Sequence, residues 1–359
     1  MSDIANWIRL AKLEFPKRAV TLLDHFGSPE AIFQASTHEF MDVQGITAKT
    51  VEKIRALAQQ PVEKEIQALE KIDARIVTYH DPDYPQNLRQ IFDPPAVLFV
   101  RGEILEGDRF AVAVIGTRKP SEYGRSLAMK ISSDLSKRGL TIVSGGARGI
   151  DTSAHTATVQ SGGRTLAVLG CGIDVAYPYE NRGLFTKIAE TGALISEFVP
   201  GTKPDAWRFP ARNRLISGLS LGVLVVESKA SGGAMITATI AAEQGRDVWA
   251  LPGGTDSEVS VGPHRLIKDG AKLIESADDI LAELGIESEA PEREHASLPS
   301  NLTVEQSAIV QLLSLHPKHV DDIIQESGLS AAAANSNLTI LEMLGLIRRV
   351  PGNSYVRAL

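Results

Sequence analysis

The sequence predicts an α/β protein built around a doubly wound, mostly parallel sheet. From residue 110 onward, short continuous apolar runs alternate with helical stretches such as Ser121–Arg138 and Ala234–Gly245. Such runs are typical of strands buried on both faces of a sheet, and their alternation with helices indicates a doubly wound topology. The predicted strands are Ala111–Ile115, Leu140–Val143, Thr165–Leu169, Ala193–Ser196, Gly222–Val226, Asp247–Leu251 and Ala271–Ile274. We expect the ligand crevice at the carboxyl ends of these strands.

A helical domain is predicted ahead of the sheet, over residues 1–75. Its segment Met41–Val51 places Gly45 and Ile46 before a helix and resembles a helix-hairpin-helix, the motif of SAM-like helical domains. Thr47 stands where the motif has its second glycine, so a packing module without DNA contact is the favoured interpretation. A connector rich in turn signals follows, and we assign it with the sheet to a central domain over residues 76–286.

A small separate module is predicted behind the sheet. Residues 287–300 form an acidic linker, and residues 301–359 contain three helical segments followed by a β-hairpin, which is the pattern of a winged helix. The predicted helices are Thr303–Leu315, Val320–Ser327 and Ser330–Leu344. The third, which would be the recognition helix, has no Lys or Arg, so a protein contact or a regulatory role is favoured over strong DNA binding.

Composition and charge exclude several classes of protein. The 359 residues carry a net charge of -7, so a nucleic-acid site would have to be a local basic patch on an acidic body. The single cysteine, Cys171, excludes an intrachain disulfide and a cysteine-rich zinc site. The first residues lack the layout of a signal peptide, and no apolar run is as long as a membrane span. We therefore expect a cytoplasmic protein without a membrane partner.

The loop after the second predicted strand has the composition of a phosphate nest. It reads Ser144-Gly-Gly-Ala-Arg-Gly-Ile-Asp151 and leads directly into a helix. Glycines let the backbone N–H groups of such a turn approach an anion, and Arg148 adds a positive charge. Ser144, Gly145, Gly146 and Arg148 are therefore predicted phosphate ligands, whereas Asp151 is interpreted as a helix-capping acid.

The loop after the first predicted strand carries a second basic turn. Gly116, Thr117 and Arg118 precede Lys119 at the start of a helix, where an anion is favoured. The spacing is not the Gly-x-Gly-x-x-Gly of a dinucleotide fold, and the chain has no phosphate-binding P-loop motif. We therefore predict phosphate contacts here and no nucleotide or other cofactor.

The loop after the fourth predicted strand combines cations with aromatic rings. This pattern is typical of single-stranded nucleic-acid sites, where cations hold phosphates and rings stack on bases. Arg212 and Arg214 flank Asn213 at a predicted helix start, where cations oppose the helix dipole unless an anion is near. The predicted phosphate ligands are Lys203, Arg208, Arg212, Asn213 and Arg214, and the stacking candidates are Trp207 and Phe209.

These loops together resemble one known family. Ile115–Ser121, Val143–Asp151, Phe209–Ile216, Glu227–Thr237 and Leu251–Gly254 match the DNA-processing protein A family, DprA or Smf, in order and spacing. The resemblance implies an extended Rossmann-like domain between a helical domain and a winged helix. It also implies a dimer without catalytic activity that binds single-stranded DNA and loads RecA during natural transformation. By the same match, Arg118 and the Gly145–Gly146 turn hold DNA phosphates, with the Arg212–Arg214 region beside them.

The alternative is an enzyme on a similar fold. The LOG, or lysine-decarboxylase-like, phosphoribohydrolases carry Pro-Gly-Gly-x-Gly-Thr-x-x-Glu at a corresponding strand end. Here Pro252–Glu258 is two residues shorter, which displaces the glutamate that such an enzyme needs. The extended basic and aromatic loop also favours a polymer over a mononucleotide.

Overall fold

The computed structural model describes residues 2–13, 16–286, 302–315 and 317–357. The predicted linker, 287–300, lies outside the described residues. The chain begins with a helical domain whose helices are α1 Ser2–Ala11, α2 Pro16–Phe26, α3 Pro29–Gln34, α4 Thr37–Met41, α5 Ala48–Ala58 and α6 Glu63–Lys71. Ser36 and Glu39 form a reciprocal capping box on α4, and Thr47 caps α5. The shared core includes Ile8, Phe40 and Ile54, each fully buried.

The central domain is a nine-stranded sheet with helices on both faces. Its elements are β1 Ala74–Thr78, α7 Gln86–Arg89, β2 Val97–Gly102, β3 Ala111–Ile115, α8 Glu122–Lys137, β4 Thr141–Ser144, α9 Ile150–Gln160, β5 Thr165–Val168, α10 Arg182–Thr191, β6 Ala193–Ser196, α11 Arg208–Gly218, β7 Gly222–Val225, α12 Gly233–Glu243, β8 Asp247–Ala250, α13 Val261–Lys268, β9 Lys272–Leu273 and α14 Ala277–Glu283. The seven predicted strands are confirmed within two residues at either end. Strand β1, whose second residue is Arg75, was not predicted.

The strand order determines where a ligand can bind. The strand order of the sheet is β1-β2-β6-β5-β4-β3-β7-β8-β9. Strands β3 to β9 are all parallel to one another, whereas β2 pairs antiparallel with both β6 and β1 at one edge. The chain moves outward from β3 to β6 and then returns to the other side of β3 as β7. The loops after β3 and β7 therefore diverge and leave a crevice at the topological switch point.

Burial on both faces explains the continuous apolar runs. All five residues of β3 are buried, and they alternate between two cores. Ala113 and Ile115 pack on one face, whereas Val112 and Val114 pack on the other against Ile131 of α8. A strand covered on both faces loses the polar alternation of an exposed strand.

The winged helix follows as its own small fold. Its elements are α15 Val304–Leu312, β10 Lys318–His319, α16 Val320–Ser327, α17 Ala331–Met343, β11 Ile347–Val350 and β12 Ser354–Arg357, and its sheet has the order β10-β12-β11. Arg348 of β11 donates to Glu122 of α8 at 2.5 Å. Helix α17 exposes the apolar side chains of Met343 and Leu344. Throughout the described ranges, every helix is too short or too polar to cross a membrane.

Candidate functional site

A cleft of about 830 Å³ opens at the switch point of the sheet. The loop after β3 forms one wall, the start of α11 forms another, and the loop after β7 with the first turn of α12 forms the third. Gly116, Thr117, Arg118, Phe209 and Asn213, all predicted site residues, line this cleft together. The crevice expected from the strand pattern is therefore present.

The cation at the mouth of the cleft lies over an aromatic ring. Arg118 is exposed, and its guanidinium carbon is 5.4 Å from the centre of the Phe209 ring. The Tyr177 ring lies 5.5 Å from the same ring, tilted by 34°. Tyr177 was not predicted, because it follows β5 in the chain and only the fold brings it to α11. In this arrangement the guanidinium can hold a phosphate while a neighbouring ring stacks on the base of the same nucleotide.

The backbone of the Arg118 loop is held in place by the neighbouring β7 loop. The Thr117 N–H donates to the Glu227 carbonyl at 2.7 Å. The Glu227 carboxylate accepts from the Ser121 N–H at 2.9 Å and from the Ser121 hydroxyl at 2.5 Å. Glu227 thus occupies the N-terminus of α8, so a phosphate in the cleft would meet side chains there rather than that helix end.

The Ser144–Asp151 turn is filled by the protein's own carboxylate. Asp151, which is buried, accepts from the Gly145 N–H at 3.1 Å and from the Ala147 N–H at 3.3 Å. The Ser144 hydroxyl donates to the Val114 carbonyl at 2.7 Å and is fully buried. The Gly145 N–H and the Ser144 hydroxyl are thus engaged within the protein, which argues against them as phosphate ligands, whereas phosphate binding at Gly146 stays a prediction. The interpretation of Asp151 as a capping acid agrees with its contacts.

The glycines of this turn are needed for internal packing. At Gly149, φ is +83°, and an added Cβ would lie 2.3 Å from the Thr117 carbonyl oxygen. At Gly145, a Cβ would lie 2.8 Å from both the Arg212 guanidinium and the Asp151 carboxylate. Only glycine lets the β4 loop pass this close to the β3 loop.

Arg212 and Arg214 are structural cations and lie away from the helix start. Helix α11 begins at Arg208, which places both in its second turn, and both are buried. Arg212 donates to the carbonyls of Gly145, at 2.8 Å, and Val168. Arg214 is paired with Glu197 at 2.5 Å and with Asp93 at 3.0 Å. Carboxylates from distant parts of the chain balance both cations, Asp93 and Glu197 for Arg214 and Asp151 for Arg212, which argues against the prediction that these arginines hold phosphates.

Of the other predicted cations, Arg148 and Arg208 have partners near the surface, and Lys203 is exposed. Arg148 is exposed, forms a two-pronged ion pair with Glu180 and is absent from the cleft lining. The Arg208 guanidinium donates to the Lys203 carbonyl and lies 4.6 Å from the centre of the Trp207 ring. Of the predicted cations, Arg118 is thus the one whose side chain is exposed in the cleft.

Burial shifts the pKa values of Asp151 and Arg212, which lie together behind the turn. Burial raises the pKa of Asp151 to about 6, against the opposing effect of the Arg212 guanidinium and the two N–H donors. Burial likewise lowers the pKa of Arg212 to about 10, while Asp151 opposes that change. Burial also raises the pKa of Cys171 to about 11, so its thiol is an unreactive packing group.

A buried histidine behind the cleft predicts a pH-dependent stability. Burial lowers the pKa of His155 to about 3, and Nδ1 lies 2.7 Å from the Thr165 hydroxyl. Below pH 6.5 the unfolded chain takes up a proton that folded His155 does not, so stability is lost as the pH falls from 6.5 toward 3. Between pH 6.5 and about 4.5, we expect wild type to lose about 2 kcal/mol relative to His155→Gln in urea unfolding.

The exposed His38 of α4 provides the control for that measurement. His38→Gln should follow the wild-type curve across the same pH range. Parallel curves for wild type and His155→Gln would show that His155 is protonated in the folded protein.

The first turn of α12 is a cleft wall that the sequence analysis did not assign. Gly232 is its N-cap residue, and no side chain in the described parts of the chain accepts from that turn. Gly232 and Gly233 line the cleft, together with Lys229, whose ammonium is 2.5 Å from Glu258 at the surface. The sequence does contain a pattern that indicates this turn, namely Ser-Gly-Gly shortly after an apolar run. It differs from the filled α9 turn because no acid follows in its first turn.

No metal centre is evident in this part of the molecule. Among the residues whose structure is described, no three His, Cys, Asp or Glu side chains are grouped as metal ligands would be. The cleft offers cations, rings and backbone N–H groups, which bind anions and bases.

Fold and cleft together define an extended Rossmann-like protein with a basic and aromatic crevice at its switch point, flanked by a helix-hairpin-helix domain and a winged helix. Residues 75–285 match the family model of DNA recombination-mediator protein A, residues 293–353 match the DprA winged helix domain, and residues 16–60 match a SAM-like helix-hairpin-helix tandem. The chain belongs to the DprA/Smf family.

Relatives support this membership along the whole chain. Protein Smf of Synechocystis is 34% identical over 99% of each chain. The crystal structure of DprA from Streptococcus pneumoniae superposes with a TM-score of 0.68 at 36% identity, covering 77% of this chain and 97% of that one. DprA from Helicobacter pylori, whose structure describes a single-stranded DNA binding mode, has a TM-score of 0.53 at 29% identity, covering 58% and 95%.

Proposed function

We propose that this protein binds single-stranded DNA in the cleft between β3 and β7. The observation that carries the proposal is the exposed Arg118 guanidinium over the Phe209 ring, at the mouth of a cleft that also contains the uncapped start of α12. The Helicobacter pylori relative supports it, because its structure is described by a single-stranded DNA binding mode.

Each wall of the cleft has a distinct task in this proposal. Arg118, with Gly116, Thr117 and Asn213 around it, contacts the phosphates. Phe209 and Tyr177 stack on bases, which is sequence-tolerant because every base has a π-face. The first turn of α12 supplies N–H groups and the positive end of a helix dipole to a further phosphate. The buried pairs Arg212–Asp151 and Arg214–Glu197 hold the walls and do not contact the strand.

The wider role follows from family membership. We infer that the protein is a recombination mediator that loads RecA onto incoming single strands during natural transformation, acting as a homodimer in the cytoplasm. The cleft needs no chemical step for this role, since binding and handing over a strand leaves every covalent bond intact.

Arg118→Ala tests the proposal. We expect the affinity for oligo-dT to fall by about ten- to 150-fold, since a charge-assisted contact contributes about 1.5–3 kcal/mol. The slope of log K against log salt should become shallower by about 0.7, because one phosphate contact on a single strand is lost. Fluorescence anisotropy over a salt series measures both quantities.

Arg109→Ala is the matched control for this test. Arg109 is also exposed and lies 4.8 Å from an aromatic ring centre, that of Phe110, but it precedes β3, at the opposite end of the strand. It should retain the wild-type affinity and slope. Equal behaviour of the two variants would contradict the proposed site, and release of free base from a nucleoside monophosphate would favour the phosphoribohydrolase alternative.

A further inference from the structure

A second cavity lies on the other side of α11, between the helical domain and the sheet. Its volume is about 1180 Å³, larger than that of the DNA cleft. Leu10 of α1 and Leu57 of α5 close it from the helical domain, and Phe198 closes it from the sheet domain. Arg118, the cation that the proposed function assigns to a phosphate, does not line it, so it requires its own explanation.

Helix α11 separates this cavity from the DNA cleft and faces both. Phe209, Asn213 and Ile216, spaced four and three residues apart, line the cleft. Trp207, Ala211 and Arg214, offset around the helix, line the cavity. Pro210 lines both. The cleft and the cavity therefore lie on opposite sides of the first turns of α11. A helix with its side chains is about 10 Å in diameter, so the two spaces are about that far apart.

Arg214 and Gln244 line the cavity, and each has a buried polar atom without a hydrogen-bond partner among the described residues. Arg214 is 8% exposed, and the atom concerned is Nη1, a donor. Gln244 follows α12, and its Oε1 is likewise buried without a partner, while its Nε2 donates to the Arg214 carbonyl at 3.1 Å. Buried polar groups are nearly always satisfied, so this pair indicates a ligand that brings both an acceptor and a donor.

Charge in the cavity favours a neutral ligand group over a phosphate. Asp93 and Glu197 pair with the Arg214 guanidinium, so this cation is already balanced by carboxylates. The other cations of the lining are also engaged, because Lys12 pairs with Glu65 and Lys53 donates to the Leu13 carbonyl. An anion would therefore find no unbalanced positive charge, whereas a neutral group with adjacent donor and acceptor atoms, such as the edge of a nucleobase, needs none.

An aromatic wall completes the arrangement. Trp207 is 48% exposed and lines the cavity, with Phe198 edge-on to it at 6.2 Å between ring centres. An exposed indole in the same cavity as Arg214 and Gln244 offers the two contacts by which single-stranded bases are held, stacking on the ring and hydrogen bonding at the edge.

We propose that this cavity is a nucleobase subsite for the same DNA strand that occupies the cleft. The strand would pass from the cleft to the cavity over Pro210 of α11, which lines both. The inference rests on the proposed function. In it, Arg214 Nη1 and Gln244 Oε1 pair with the base edge, Trp207 stacks on the base, and the helical domain encloses it. The N-terminal domain then contributes to DNA binding by enclosing a base rather than through a helix-hairpin-helix contact to phosphate.

Gln244→Leu tests the subsite, because leucine has a similar size and lacks the amide oxygen and nitrogen. With full-length protein and fluorescent oligo-dT, we expect about three- to tenfold weaker binding with an unchanged salt slope, since no phosphate contact is lost. An oligonucleotide of the same length with abasic residues should bind wild type and Gln244→Leu equally. Gln160→Leu, an exposed glutamine at the end of α9, is the matched control and should bind oligo-dT as wild type does.

A second variant and a spectroscopic signal locate the base. Trp207→Leu should weaken oligo-dT binding without changing the salt slope. In a Trp7→Phe background, oligo-dT should quench the fluorescence of Trp207, since the other tryptophan, Trp249, is fully buried.

The outcomes separate this inference from the proposed function. Wild-type affinity in both Gln244→Leu and Trp207→Leu, with Arg118→Ala still impaired, would overturn the subsite and leave the cleft intact. Equal loss on the oligo-dT and abasic strands would also overturn it, because the contact would then not be to a base. Failure of wild type to bind any oligonucleotide would overturn both.

Discussion

Replacement of Arg212 by methionine is expected to lower the free energy of unfolding by about 3–5 kcal/mol, the usual range when one partner of a buried ion pair is removed. Arg212 is 5% exposed, and its guanidinium satisfies the carbonyls of Gly145 and Val168 and balances Asp151. Methionine can fill much of the volume but leaves two carbonyls and one carboxylate without their cation. Urea unfolding at neutral pH measures the loss.

Two comparisons show whether the buried charge is the cause. Arg125→Met removes a partly exposed cation from a helix-surface pair with Glu122 and should change stability by less than about 1 kcal/mol. The double variant Arg212→Met with Asp151→Asn should recover part of the loss, because the uncompensated carboxylate is gone. A loss below 1 kcal/mol for Arg212→Met alone would mean that water or backbone movement solvates Asp151.

Replacement of Gly149 by alanine is expected to damage both stability and DNA binding. The positive φ of +83° costs about 1–3 kcal/mol for an L-residue, and the added Cβ would lie 2.3 Å from the Thr117 carbonyl oxygen. Relief of that contact must move the β3 loop, which carries Arg118. We expect a total loss of about 2–5 kcal/mol together with weaker oligo-dT binding.

Gly162→Ala provides the matched control beyond the other end of the same helix. Gly162 has φ of +72°, and nothing lies within 4 Å of an added Cβ. Its loss should be about 1–2 kcal/mol from backbone strain alone, with wild-type DNA affinity for the folded protein. Similar values for the two variants would mean that the Thr117 contact is relieved without moving the loop.

The strands of the sheet were predictable because their environment is uniform. Strands β3 to β7 are buried along their whole length, so each consists of a short, mainly apolar run. Strand β1 was not predicted, because it lies at the edge of the sheet. It pairs only with β2, and its Arg75 is exposed. An edge strand needs no apolar run, so nothing local separates it from a connector.

The site was predictable only in part, for a chemical reason. A glycine-rich turn into a helix has the same pattern whether its N–H groups bind a ligand phosphate or the chain's own carboxylate. The α9 turn is filled by Asp151, whereas the α12 turn has no such acid and was not assigned. Similarly, Arg118 and Arg214 both follow strands in the sequence, but only Arg214 meets two carboxylates in the fold.

By itself, the sequence determined the doubly wound class of the sheet, the flanking helical and winged-helix modules, the position of the crevice and the presence of Arg118 and Phe209 in it. These follow from local periodicity and from the rule that parallel strands present their carboxyl ends together. The tertiary structure alone decided which charges remain available to a ligand. That choice depends on pairs far apart in the chain, such as Arg212 with Gly145 and Arg214 with Asp93, because desolvation and partnering are properties of three-dimensional neighbours.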